Sequence, residues 1–404
     1  MRIQRFIAIV FVLFALLSCG QSTSRRPADV NTIRNAIIEA EKPIVIELAE
    51  AFLDAEPVTV TASRSDRSAG GIHDYFSEGS FWWPDPDNPG GPYIRRDGFR
   101  NPDNFNDHRD AMKRLSAIVS TLTSAYLLTG EGRFADHAMT HLEAWFINPE
   151  TMMNPHLLYA QAISGRVTGR GIGIIDAVRL VDVAQSAKIL SRSPYIVQED
   201  IAKVREWFSE FTHWLRTHPY GIEEMNWRNN HATWWHAQVA AYAGFTRDPE
   251  TLDFVRERMK TFLIPNQMSD DGSFHDELTR TRPYNYSLHN INGMALLTHI
   301  LSKDSGKENM WEFSLGDGRG MELAIDFIHF YTKNKDKWPH EQDVVNWDGL
   351  PRREPYLLLA ALGYRDMAFF DTWESMPETT LTQEGFRNLP IENILLWIGL
   401  PNPN

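Results

Sequence analysis

The chain of 404 residues contains one cysteine, Cys19. No intramolecular disulfide can form, and a site built on several thiolates is excluded. His-Glu-x-x-His and Gly-x-Ser-x-Gly are both absent, so neither a helix-borne zinc hydrolase nor a nucleophile-elbow hydrolase has support. His231 and His236 stand five apart, on different faces of a helix, and no metal or cofactor is expected. Positive charge is in short supply: 40 Lys and Arg against 53 Asp and Glu leave a net charge of −13. Nucleic acid is a poor partner for such a chain, because a phosphate backbone attracts a basic face. An acidic sugar polymer is not excluded, since local charge in a cleft governs that contact. Alternating stretches of strand length are scarce. The one long apolar run is Phe6 to Leu17, shorter than the about 20 residues a membrane-spanning helix needs.

That run follows Arg2 and Arg5 and leads into Leu16-Leu17-Ser18-Cys19-Gly20. The pattern reads as an export signal whose cleavage leaves a lipid-modified Cys19 at the new N-terminus. The expected organisation is a signal at 1–18, a polar tether at 19–30 and one catalytic domain over 31–404. The protein is then exported and lipid-anchored to the outer membrane, on its periplasmic or cell-surface side, as a monomer.

Aromatics are plentiful at 12%, with 13 Trp, and the apolar pattern beyond residue 31 is helical. Met112, Leu115, Ile118, Val119, Leu122 and Tyr126 recur at three- and four-residue spacing, predicting a helix over 107–129 that stops at Gly130. Ile201, Val204, Trp207, Phe208, Phe211, Trp214 and Leu215 predict another over 198–217. Further helices fit 31–55, a segment around Phe134 to Phe146, 174–192, 230–245, 250–264, 285–302, 319–332 and 353–364. Residues 57–106 are rich in Pro, Gly, Asp and Asn and predict a long lid-like loop. So many amphipathic helices on short connections predict an all-α fold, an incomplete (α/α) toroid of antiparallel hairpins with a cleft at one end.

Two segments carry most of the chemistry. The first reads Asn226-Trp-Arg-Asn-Asn-His-Ala-Thr-Trp-Trp-His-Ala-Gln238. Asn229 and Asn230 stand at a helix N-terminus, where one caps the helix and the same free N–H groups favour a carboxylate. Trp234 and Trp235 suit core packing or sugar stacking. The second runs from Asp270 to Tyr286 and contains Glu277-Leu-Thr-Arg280-Thr-Arg-Pro-Tyr284-Asn-Tyr286. Arg280 either pairs with Glu277 at the surface or assists a nearby phenol. Tyrosine has a free pKa of ~10 and needs a neighbouring cation to serve as a base. Amide, imidazole, guanidinium and phenol together suit removal of the weakly acidic C5 proton of a uronate, whose carboxylate must first be neutralised. Arg95, Arg96, Arg100, Arg109, Lys113, Arg114, Arg166, Arg170, Arg228 and Arg282 are further candidates for a cationic cleft. Gly169-Arg-Gly-Ile-Gly173 lacks the strand that a dinucleotide loop requires and fits a bend lining that cleft.

Between about Asp74 and Tyr331 the chain resembles the alginate lyase superfamily, the helical-toroid lyases that include polysaccharide lyase family 5. The resemblance rests on Ser77-Glu-Gly-Ser-Phe-Trp-Trp-Pro-Asp-Pro, Pro92-Tyr-Ile-Arg-Arg-Asp-Gly, Asn154-Pro, Tyr159-Ala-Gln-Ala, Gly169-Arg-Gly-Ile-Gly, Asn229-Asn-His-Ala-Thr-Trp and Asp271-Gly-Ser through Tyr286-Ser. It implies catalysis by Asn230, His231, Arg280 and Tyr286, with substrate contacts from Trp82, Trp83, Arg95, Tyr159, Gln161, Arg170, Asn229, Trp234 and Tyr284. In family 5 proper the Arg-to-Tyr gap is one residue longer, and this chain offers a second phenol at Tyr284. The implied reaction is β-elimination on an acidic polysaccharide, mannuronate-rich alginate first and glucuronan second. A toroidal glycoside hydrolase would instead need opposed carboxylates, for which Asp270, Asp271, Asp276 and Glu277 are candidates. A lipoprotein that binds glycan without cleaving it is the third reading.

Overall fold

The computed structural model describes residues 25–303, 306–382, 387 and 389–403. The predicted signal segment and Cys19 lie outside the described residues. Fourteen α-helices are present among those described: α1 (Val30–Phe52), α2 (Asp107–Thr129), α3 (Gly132–Phe146), α4 (Leu180–Leu190), α5 (Gln198–Thr217), α6 (Pro219–Met225), α7 (Asn230–Thr246), α8 (Pro249–Arg258), α9 (Ile264–Gln267), α10 (His275–Leu278), α11 (Pro283–Leu301), α12 (Met321–Lys333), α13 (Pro355–Tyr364) and α14 (Met367–Ser375). Four short strands accompany them: β1 (Phe76–Glu78), β2 (Trp82–Trp83), β3 (Ile94–Arg95) and β4 (Tyr159–Ala162). β1 pairs in parallel with β4, and β2 with β3 antiparallel.

The helix contacts run in a circuit. α1 packs on α2, α2 on α4, α4 on α7, α7 on α11, α11 on α13, and α13 returns to α1. α3, α5, α8, α12 and α14 pack against this circuit. The architecture is an α/α toroid. α5 buries one stripe, Ile201, Val204, Trp207, Phe208, Phe211 and Leu215, as the sequence period requires. α7 instead buries nearly every residue from Asn230 to Phe245. A helix covered on all sides has no polar face to display, and its sequence pattern cannot say which side meets the core.

α7 and α11 are in close contact because Gly293 leaves room. A Cβ there would lie 2.9 Å from Thr233 Cγ2 and 3.0 Å from the Trp234 ring. Gly293→Val should lower stability by about 1–3 kcal/mol through overpacking. Urea unfolding measures this, and an unchanged midpoint would refute the close packing described.

Several boundaries differ from the sequence reading. The predicted helix 174–192 begins as a 3₁₀ segment, Gly171–Arg179, before α4. Residues 250–264 divide into α8 and a π-turn, Met259–Leu263. α6 and α14 were not anticipated. The described end of the predicted tether is pinned: Arg26 N donates to Asp366 Oδ1 at 2.7 Å and Ala28 N to Arg365 O at 2.9 Å. Among the described residues no helix is long and apolar enough to cross a membrane.

Candidate active site

A cleft of about 830 Å³ opens among the start of α7, the segment before α11, the 3₁₀ segment and the loop 76–106. Its wall carries nine cations, Arg95, Arg100, Arg109, Lys113, Arg170, Arg179, Arg280, Arg282 and Arg352, against one carboxylate, Asp176. A protein of net charge −13 has thus gathered positive charge in one place, which focuses an anionic ligand there.

Asn229 caps α7. Its backbone is extended and its Oδ1 accepts from His231 N at 3.1 Å. The next side chain turns toward a carboxylate of the protein itself. Asn230 N and Nδ2 donate to Glu277 Oε1 at 2.6 and 2.8 Å, and Nδ2 reaches Oε2 at 3.0 Å. Glu277 is fully buried, and that burial pushes its carboxyl up, although the two Asn230 donors and Arg280 pull it down. His231 Nδ1 lies 2.7 Å from Oε1 of Glu224, another fully buried carboxyl at the end of α6. With Glu224 ionised the bond requires Nδ1–H, which leaves Nε2 as the ring nitrogen available to the cleft. Burial pushes Glu224 up as well, and His231 opposes it.

Arg280 Nη2 donates to Tyr286 Oη at 3.2 Å, and its guanidinium lies 4.3 Å from the centre of the Tyr286 ring. The contact with a phenol is one of the two pairings the sequence left open for Arg280, but its net effect differs from the expected one. Burial pushes the Tyr286 phenol above its ordinary value, and Arg280 and Arg282 only partly offset this. His231, Arg280 and Tyr286 line one cleft together with Asn230.

Trp82, Arg95, Gln161, Arg170 and Asn229 also face this cleft. Gln161 has a left-handed backbone, φ 49°, a strained conformation for a residue with a side chain. Its Oε1 and carbonyl oxygen accept from Arg170 Nη2 at 3.0 Å and Nε at 2.9 Å. Its Nε2 donates to Asp176 at 3.0 Å. Asp176 also accepts from Tyr75, Ser77 and Arg109. Burial alone would raise its carboxyl, but Arg109, Ser77 and Gln161 hold it below the usual range. It is fixed and fully hydrogen-bonded rather than poised for acid–base work.

Four expected substrate contacts fall elsewhere. Trp234 is fully buried and donates through Nε1 to His289 O, because α7 is enclosed. Tyr284 is fully buried, with its ring against Trp338 and Trp347 and its hydroxyl donating to Tyr331 O at 3.3 Å. Pro283 starts α11, so Tyr284 and Tyr286 point in different directions from its first turn; Tyr286 is the one that faces the cleft. Trp83 turns away on the β2–β3 hairpin, donating to Phe99 O under Arg96. Tyr159 packs on His156 and Gly70. Asp270, Asp271, Asp276 and Glu277 are absent from the wall, so the opposed carboxylates of a hydrolase are not assembled. His275 pairs with Asp276 at 2.6 Å, outside the cleft.

Sequence reasoning missed Glu224, Asp176, Trp227, Arg179 and Arg352. Only Trp227, next to the Asn-Asn-His motif, carried a signal.

A family model described as alginate lyase matches residues 59–338. The chain belongs to the alginate lyase family. As an alginate lyase family member it is a polysaccharide lyase. The crystal structure of an alginate lyase from Bacteroides ovatus is 27% identical, with a TM-score of 0.79 over 94% of this chain and 100% of that one. Alginate lyase A1-III from Sphingomonas species A1 is 14% identical with a TM-score of 0.52, over 88% of this chain and 95% of that one, and shares the fold. No curated protein matches the chain.

Proposed function

We propose that the protein cleaves alginate, with mannuronate-rich chains preferred, by β-elimination. The observation that carries this reading is the convergence of His231, Arg280 and Tyr286 in a cleft with nine cations and one fixed carboxylate. The substrate carboxylate accepts from Arg280 and from His231 Nε2–H, the form the ring takes when the buried Glu224 carboxyl is protonated and donates to Nδ1, or when both ring nitrogens carry protons, and the second hydrogen of the Asn230 amide adds a third contact. These donors stabilise the charge that develops on the carboxylate as the C5 proton leaves. Tyr286, as phenolate, takes that proton. The C5–H electron pair forms the C4–C5 double bond, the C4–O4 bond breaks, and Tyr286 returns its proton to O4.

One phenol serving both ends requires H5 and O4 on the same ring face, which holds for mannuronate and glucuronate. For guluronate, His231 Nε2 would be the base and Tyr286 the acid. Glucuronan is therefore the second substrate. Incubation with block-pure mannuronate, guluronate and glucuronate polymers tests the reading. Mannuronate blocks should yield ultraviolet-absorbing unsaturated ends fastest, and saturated products would refute elimination.

Trp227 is the one exposed Trp among the described residues, at 40%, and its ring lies 6.2 Å from that of His231. It is suited to carry the sugar ring beside the scissile bond. Trp227→Ala should raise KM roughly threefold to tenfold with kcat nearly kept, as expected for loss of uniform binding. A fall in kcat with KM unchanged would remove that role.

The N-terminal pattern supports export and lipid attachment at Cys19, so that the enzyme works from the outer membrane. Labelling with a fatty acid, lost in Cys19→Ala, checks this.

A further inference from the structure

Arg280 meets a carboxylate before any substrate arrives. Its Nη2 donates to Asp97 Oδ1 at 3.2 Å, and its Nε reaches Oδ2 at 3.5 Å. The same Nη2 donates to Tyr286 Oη. Nη1 has no hydrogen-bond partner among the described residues. Asp97 follows β3 in the long loop, 183 residues from Arg280 in sequence. It is held in turn: Thr281 Oγ1 donates to Oδ2 at 3.0 Å and Arg95 Nη2 to Oδ1 at 2.6 Å. Gly98, at φ 82°, lets the loop lie close, since a Cβ there would stand 2.8 Å from Thr281 Oγ1. Burial would raise the Asp97 carboxyl, but Arg280, Arg95 and Thr281 hold it below the usual range.

We propose that Asp97 is a positioning residue for the lyase reaction: it grips the Nε–Nη2 edge of Arg280, so that Nη2 meets Tyr286 and Nη1 is left for the substrate carboxylate. A guanidinium is planar, and one edge held by a carboxylate fixes the direction of the other. The inference rests on the reading of Tyr286 as base. It carries a cost. The groups that act on Tyr286 are Arg280, Arg282 and Glu277 beside it, Asp97 and Arg100 from the loop, and His231 across the cleft. Asp97 is an anion among them and disfavours the phenolate.

Asp97→Asn should lower plateau kcat roughly 10–100-fold, with KM changing much less. Because Asp97 acts through Arg280, the same substitution made on Arg280→Ala should cost little more, since the guanidinium it holds is gone. Anchoring of the loop alone would cost as much in either background. An unchanged kcat, or an undiminished loss on the Arg280→Ala background, overturns the proposal. Thr281→Val, which removes the hydroxyl that holds Asp97 Oδ2, supplies an independent readout should Asp97→Asn melt below assay temperature. Its kcat should fall on the wild-type background and not on Arg280→Ala, and an equal fall on both counts against the proposal. Tyr286→Phe is measured in parallel. An active Tyr286→Phe sinks the proton-transfer reading itself, whereas an inactive one beside an unchanged Asp97→Asn kcat sinks Asp97 alone.

Discussion

Tyr286→Phe is expected to lower kcat by about 10²–10⁴-fold, the range for loss of a positioned acid–base group, while polymer binding is retained. The ring still packs under Arg280, so the variant removes one oxygen and little else. Wild-type activity should also rise toward alkaline pH. A base works deprotonated, burial holds the Tyr286 phenol above its ordinary value, and the acid limb accordingly lies high. Activity is lost as pH falls through that value. Turnover measured across pH, with binding followed separately by fluorescence of Trp82 and Trp227 in the cleft, checks both statements. A Tyr286→Phe enzyme with near-normal kcat would reassign the proton transfer to His231, since Tyr284 is enclosed in the core.

Arg280→Ala is the second large effect, expected at about 10²–10³-fold in kcat, comparable to removing one donor from an oxyanion site. Two losses combine. The developing charge on the carboxylate loses its cation, and Tyr286 loses the neighbour that favours its phenolate. The acid limb should therefore move upward as kcat falls. Arg280→Lys should recover little, because an ammonium cannot hold Asp97, Tyr286 and a substrate carboxylate from one plane. Steady-state kinetics on mannuronate polymer separates the terms. A variant with altered KM and intact kcat would mean that Arg280 only binds.

The helices of this toroid were legible where they are amphipathic. α5 buries the stripe that its apolar spacing marks, and Gly130 ends α2 in a left-handed conformation, although Leu115 to Tyr126 of α2 are buried on every side. Facing was illegible where both faces are covered. α7 has no polar side, so Trp234 looked as fit for sugar as for core. The four residues implied as catalytic could be named because each lies in a short motif, and Arg280 and Tyr286 are only six apart. Their supports could not. Glu277 is 47 residues from Asn230, and Asp97 is 183 from Arg280. Such pairs exist only once the toroid brings the loop and the helix termini together. Glu224 is seven residues from His231, but the non-helical segment 226–229 between α6 and α7 hides their encounter from any helical period. The sign of the Tyr286 shift was also illegible, because sequence shows the neighbouring Arg280 and not the burial that outweighs it.

The central claim is that Tyr286 takes H5 from a uronate whose carboxylate is held by Arg280 and His231. A crystal structure of the Tyr286→Phe variant with a bound mannuronate oligosaccharide tests it most directly. The account predicts the carboxylate within hydrogen-bond reach of Arg280 Nη1 and His231 Nε2, with H5 and O4 of that sugar both turned toward ring 286. A carboxylate directed away from Arg280, or a sugar face that turns H5 from position 286, would contradict it.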